Sequence, residues 1–122
     1  METIISLCGF YSLALALFHT GFWKFFGWKT DLAKLKFYNR GIMQILNIQL
    51  IFSFSFTAVV CFYFSTDLLN SELGKWFLGA NSLFWLLRTL QQFIFLKKNH
   101  YIIHILTVVF MLGIILFALP LF

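Results

Sequence analysis

Four apolar runs, at 4–22, 41–64, 76–96 and 101–120, take up most of this 122-residue chain. Each approaches or exceeds the ~20 residues that carry a helix across a hydrocarbon core of ~30 Å. Lipid offers the backbone no hydrogen-bond partner, so such a run must satisfy its own amides, as an α-helix does. Only 11% of the residues are charged, whereas soluble domains average roughly a quarter. Too little sequence lies outside the runs to form a soluble domain. The expectation is an all-α integral membrane protein, a single domain over 1–122 folded as an antiparallel four-helix transmembrane bundle.

The connections predict its orientation. The first, 23–40, carries Lys24, Lys29, Lys34, Lys36 and Arg40 against Asp31 alone. The second, 65–75, holds Asp67, Glu72 and Lys75, and the third is Lys97, Lys98, Asn99 and His100. The positive-inside rule puts the first and third in the cytoplasm and both termini on the non-cytoplasmic side. A cleaved signal peptide would need a basic start, but Glu2 stands there and the lysines follow the run. The first helix is therefore expected to be retained, and the compact chain reads as a bacterial inner-membrane protein. Within the first connection, Thr30 suits an N-cap, followed by Asp31, Leu32, Leu35 and Tyr38 among lysines. With Trp23, Phe25, Phe26 and Trp28 just before it, a short interfacial helix at about 30–38, in contact with membrane lipids, is expected.

Helical spacing then sorts the polar residues. Arg40, Gln44, Asn47, Ile51, Ser55 and Ala58 share one face of the second helix, and Asn81, Trp85, Arg88 and Gln92, with Gln91 alongside, one stripe of the third. The first helix collects Cys8, Gly9, Ser12, Ala16, His19 and Thr20; on the fourth, His100, His104, Thr107, Met111, Ile115 and Ala118 align. Counted at ~1.5 Å per residue from the basic loops, His19 lies about 8 Å inside, Gln91 about 9 Å, Asn47 and His104 about 10 Å, and Arg88 about 13 Å. A charge at that depth costs roughly 2.5–3.5 kcal/mol on insertion scales, more than one interhelical polar contact of ~0.6 kcal/mol returns. These values predict a polar pocket in the cytoplasmic half, lined by Arg88, Gln91, Gln92, Asn47, Gln44, Arg40, His104 and His19.

The leading reading is a protein that binds or carries a small amphiphile such as a lipid, quinone or isoprenoid-like molecule. Arg88 would anchor an anionic or carbonyl-bearing head, since guanidinium meets such groups in a fixed bidentate geometry. A second reading is a non-catalytic subunit or assembly factor of a larger membrane complex, with Gly79, Ala80 and Ser82 as a patch for close helix contact. A third takes His19 and His104 as axial ligands of b-type haem, or as general acid or base of an intramembrane enzyme. Catalysis has no clear signature: the four carboxylates, Glu2, Asp31, Asp67 and Glu72, all lie outside the runs. His100 and His104 lack a third ligand at their depth, so a metal site is not expected, and the basic charge follows the topology rather than a nucleic-acid surface. Cys8 and Cys61 lie near the outer ends of their helices, where a disulfide is one option and a pair of small buried hydrophobes the other. Four short helices bury little surface, which makes a homo-oligomer reasonable.

Overall fold

Glycine and two side-chain caps set several of the helix boundaries. The computed structural model describes residues 1–122 and is helical without strands. The α-helices are α1 (Glu2–Thr20), α2 (Phe22–Phe25), α3 (Trp28–Asp31), α4 (Phe37–Tyr63), α5 (Ser65–Asn70), α6 (Glu72–Phe95) and α7 (Tyr101–Ala118). Short 3-10 turns follow at Leu32–Lys34 and Leu119–Leu121, the latter at Pro120. Three helices, Glu2–Thr20, Phe37–Tyr63 and Tyr101–Leu121, are long and apolar enough to cross a membrane. They and α6 expose many large apolar side chains, Leu17, Phe52, Phe93 and Val108 among them. So much apolar surface marks a membrane-associated chain rather than one built to face water. Helix α6 is long enough but not apolar enough to join the three, because Asn81, Arg88, Gln91 and Gln92 interrupt it.

Two compact units are resolved, residues 9–60 and residues 1–8 with 61–122. In the first, α1 gives way at Gly21 to the single turns α2 and α3. Gly27 separates these with φ +62°, the only left-handed backbone in the chain. The interfacial helix expected at 30–38 is differently built: Gly27, not Thr30, precedes the helical turn, and extended backbone at Leu35 ends the segment before α4. Aromatic side chains fill this unit. Phe18 meets Phe22, Phe25 and Phe26 edge-on at 5.1–6.2 Å, and Trp23 meets Trp28 at 5.4 Å.

In the second unit, Ser65–Asn70 forms a helix inside what sequence alone treats as a connection. Ser71 turns the chain into α6: its hydroxyl donates to the Asp67 carbonyl at 2.7 Å and accepts from the Gly74 amide at 2.9 Å. This N-cap satisfies one of the amides that a helix start leaves unpaired. At Gly74 the backbone of Leu68 comes so close that a Cβ would collide with its carbonyl oxygen. His100 caps α7, its Nδ1 accepting from the Ile102 amide at 3.1 Å. Along α6 and α7, Gln92 meets Ile103 and Thr107, Trp85 stacks on Phe110 at 5.4 Å, and Ser82 donates to the Ile114 carbonyl at 2.9 Å. Cys8 and Cys61 are both fully buried free thiols, and Cys8 Sγ donates to the Leu116 carbonyl at 3.1 Å.

Candidate functional site

In apolar surroundings a hydroxyl with no water nearby turns back onto its own helix. Ser55, Thr57, Thr89 and Thr107 each donate to the carbonyl four residues earlier, at 2.8–2.9 Å. These side chains are thereby spent locally. Among the polar groups that do reach another helix are the Asn47 and Gln92 amides, the Ser82 hydroxyl, the Cys8 thiol and the indole N–H of Trp23.

Residues 9–60 bring four of the expected site residues into two short chains. Asn47, buried on α4, donates through Nδ2 to the His19 carbonyl at 2.9 Å, in the last turn of α1. Carbonyls in a last turn lack an amide of their own helix, so Asn47 caps α1 from outside. One α4 turn toward its start, Gln44 Oε1 accepts from the Trp23 indole at 2.8 Å and Gln44 Nε2 donates to the Arg40 carbonyl at 3.2 Å. His19 is packed as an aromatic among aromatics: its ring stacks on Phe22 at 4.3 Å and meets Phe54 edge-on at 5.2 Å, with Nδ1 on the Leu15 carbonyl at 2.8 Å.

The other unit assembles Arg88, Gln92, Thr107 and Phe110. Gln92 is 1% exposed. Its Nε2 donates to Thr107 Oγ1 at 2.6 Å and to the Ile103 carbonyl at 3.1 Å, while Oε1 accepts nothing. Four residues earlier, one turn away on the same stripe, Arg88 is half-buried. Its guanidinium lies over the face of Phe110, 4.7 Å from the ring centroid. No carboxylate pairs with it; the only ion pair of the chain joins Lys75 to Glu72. Trp85, another turn back, packs its indole flat against the same Phe110.

Two of the expected pocket residues stand apart. Gln91 is exposed on α6, and His104 is exposed on α7 with Nε2 hydrogen-bonded to Asn99 Oδ1 at 2.7 Å. The inner face of α7 is turned by about 100°, one residue's rotation, from the line of His104, Met111 and Ile115. Its buried residues are Phe110, Gly113 and Phe117, whereas Met111 and Ile115 are half exposed. Sequence reasoning missed Phe110 under Arg88 because a phenylalanine in an all-apolar helix carries no polarity signal. It also missed His100 as a cap, for which the signal was its position directly before the first residue of the run. The chain matches no protein-family model, no curated protein and no solved structure.

Proposed function

We infer that the chain is a multi-pass integral membrane protein that binds or carries a small amphiphile, with Arg88 as the anchor for an anionic or carbonyl-bearing head. In this reading α6 is a fourth span and neighbouring helices run antiparallel. The basic connections face the cytoplasm of a bacterial inner membrane, and both termini lie on the opposite side. The order of contacts along α6 and α7 supports the antiparallel pairing, since Gln92 meets Ile103 and Ser82 meets Ile114.

The observation that carries the proposal is the environment of Arg88. A cation over an aromatic face returns roughly 0.5–1 kcal/mol where exposed and about 2 kcal/mol or more when desolvated, and Arg88 is only half-buried. Burying the charge at membrane depth costs roughly 2.5–3.5 kcal/mol. Phe110 therefore offsets part of the cost, and no carboxylate of the chain supplies the rest. A negatively charged or carbonyl oxygen set against the guanidinium would close that gap. Gln92 Oε1, buried and accepting no bond, offers an acceptor one turn away for a hydroxyl or amide on the same ligand. Trp85 and Phe110 provide flat apolar surface for the remainder.

The test is native mass spectrometry of the gently solubilised full chain, beside the Arg88→Leu variant. The expected outcome is a small molecule retained by the wild type and lost from the variant, with unchanged helicity by circular dichroism. Equal retention by both would remove Arg88 from the site. A second reading, a subunit of a larger membrane complex, draws on a mainly apolar groove of about 340 Å³ on α6 at Lys75, Trp76, Gly79, Ala80 and Leu83. Small residues there allow another helix to approach closely. Stable co-purification with one larger partner, and no bound small molecule, would decide for it.

A further inference from the structure

The most basic stretch of the chain is also rich in aromatic residues, and the two properties converge on one groove. Lys24, Lys29 and Arg40 line a groove of about 510 Å³ together with Trp23 and Trp28, and no acidic residue lines it. None of the three cations has a carboxylate partner, although Asp31 is only two residues from Lys29. The groove is not a by-product of loose side chains. Its wall is fixed by the Trp23 indole donating to Gln44, by Gln44 donating in turn to the Arg40 carbonyl, and by the edge-on packing of Trp23 against Trp28. Buried Leu32, 4% exposed, closes the apolar side.

Its depth follows from the same segment. Residues 21–36 connect the end of α1, at Thr20, to the start of α4, at Phe37, and both helices are long and apolar enough to cross a membrane. The link turns at Gly21 and again at Gly27 and contains no span of its own, so the two helix ends belong to one membrane surface. Three unpaired cations with two tryptophans, held at the surface between water and hydrocarbon, match the chemistry of an anionic lipid: phosphate toward the cations, glycerol backbone and upper acyl chain along the indoles. We propose that this groove is a binding site for the phosphate headgroup of an anionic membrane lipid.

The experiment compares phosphatidylglycerol with phosphatidylcholine of the same acyl chains, each titrated onto the full-length protein in mild detergent and read as retained lipid by native mass spectrometry. The wild type is expected to retain the anionic lipid in clear preference. The combined variant K24Q, R40Q and K29Q should weaken that retention by about a hundredfold, each cation near an anionic surface contributing about fivefold. The variant K34Q, K36Q and K98Q removes equal charge outside the groove and should keep the preference. Equal loss in both variants would overturn the site in favour of diffuse attraction, and no preference in the wild type would overturn it outright, whether or not either variant folds. Inorganic phosphate is the third probe: millimolar phosphate that abolishes lipid retention would make the groove a free-phosphate site and overturn the lipid assignment.

Discussion

Asn47 and Gln92 are the two buried amides of the chain, one in each compact unit, and they do similar things at different cost. Each donates through nitrogen to a neighbouring helix, and each leaves its oxygen without a bond. The acceptors differ. His19 O lies in the last turn of α1, beyond the reach of that helix's own amides. Ile103 O sits in the first turn of α7, where the helix supplies the Thr107 amide and the Thr107 hydroxyl donates as well at 2.8 Å. Asn47 thus bonds a carbonyl that the amides of α1 cannot reach, whereas Gln92 adds a bond to a carbonyl that its own helix already serves. The value of a buried contact is set by what its partner would do without it. On that measure the stability of the chain should depend on Asn47 more than on Gln92.

The sharpest challenge to this division lies in the unit that holds Gln92, where the constraint that cannot be relaxed is backbone rather than amide. A Cβ at Gly74 would collide with the carbonyl oxygen and Cα of Leu68, and neither atom can swing aside as a side chain does. Gly74→Ala is expected to destabilise the chain by about 3 kcal/mol, the upper part of the range for overpacking. Thermal unfolding in detergent, followed by circular dichroism, measures it. A change within experimental scatter would mean that α5 moves freely against α6, and that the second unit is looser than its close contacts imply.

Asn47→Leu comes next. It removes the bond that Asn47 gives the His19 carbonyl, a loss of about 1 kcal/mol. The same variant relieves the unbonded Asn47 oxygen, which keeps the expected effect below that of Gly74→Ala. Proteolysis between Gly21 and Lys36 should accelerate in parallel, because the end of α1 loses its cap. A stable variant with faster cleavage confined elsewhere would contradict the assignment of Asn47 to α1.

How much of this was legible beforehand depended on contrast within each helix. On α1, α4 and α6 polar and small residues interrupt apolar sequence, and the stripes of Ser12 and Ala16, of Asn47 and Ala58, and of Trp85 and Gln92 are the ones that are buried. Helix α7 has almost no such contrast. Leu, Ile, Val, Met and Phe surround it, so His104 marked a face that the packing of Phe110, Gly113 and Phe117 overrules. Gln91 and Gln92 show the finer limit: they are identical in type and adjacent, and only rotation decides that one is exposed and the other is 1% exposed. The short helix at Ser65–Asn70 escaped because a single apolar residue, Leu68, is buried from it, too little to establish a period. Arg88 needed no geometry to stand out, but its partner did, since the ring beneath it comes from a helix where every residue looks alike.

The smallest expected effect is the most informative about the comparison. Gln92→Leu removes two donated bonds, yet Thr107 still donates to Ile103 O, and the unbonded Oε1 disappears with the amide. Interhelical polar contacts in membranes average ~0.6 kcal/mol, so the variant should unfold within about that much of the wild type. Leucine is close to glutamine in volume, so the site at Trp85 and Phe110 keeps its packing. If Gln92 serves a ligand, retention of the co-purifying molecule should fall in this variant while stability holds, a separation that Asn47→Leu cannot produce. A loss of stability as large as that of Asn47→Leu would place Gln92 among the structural contacts and leave Arg88 alone to carry the site. The two amides are thus distinguished by one pair of melting curves and one mass spectrum, with Thr107 supplying the reason that they should differ.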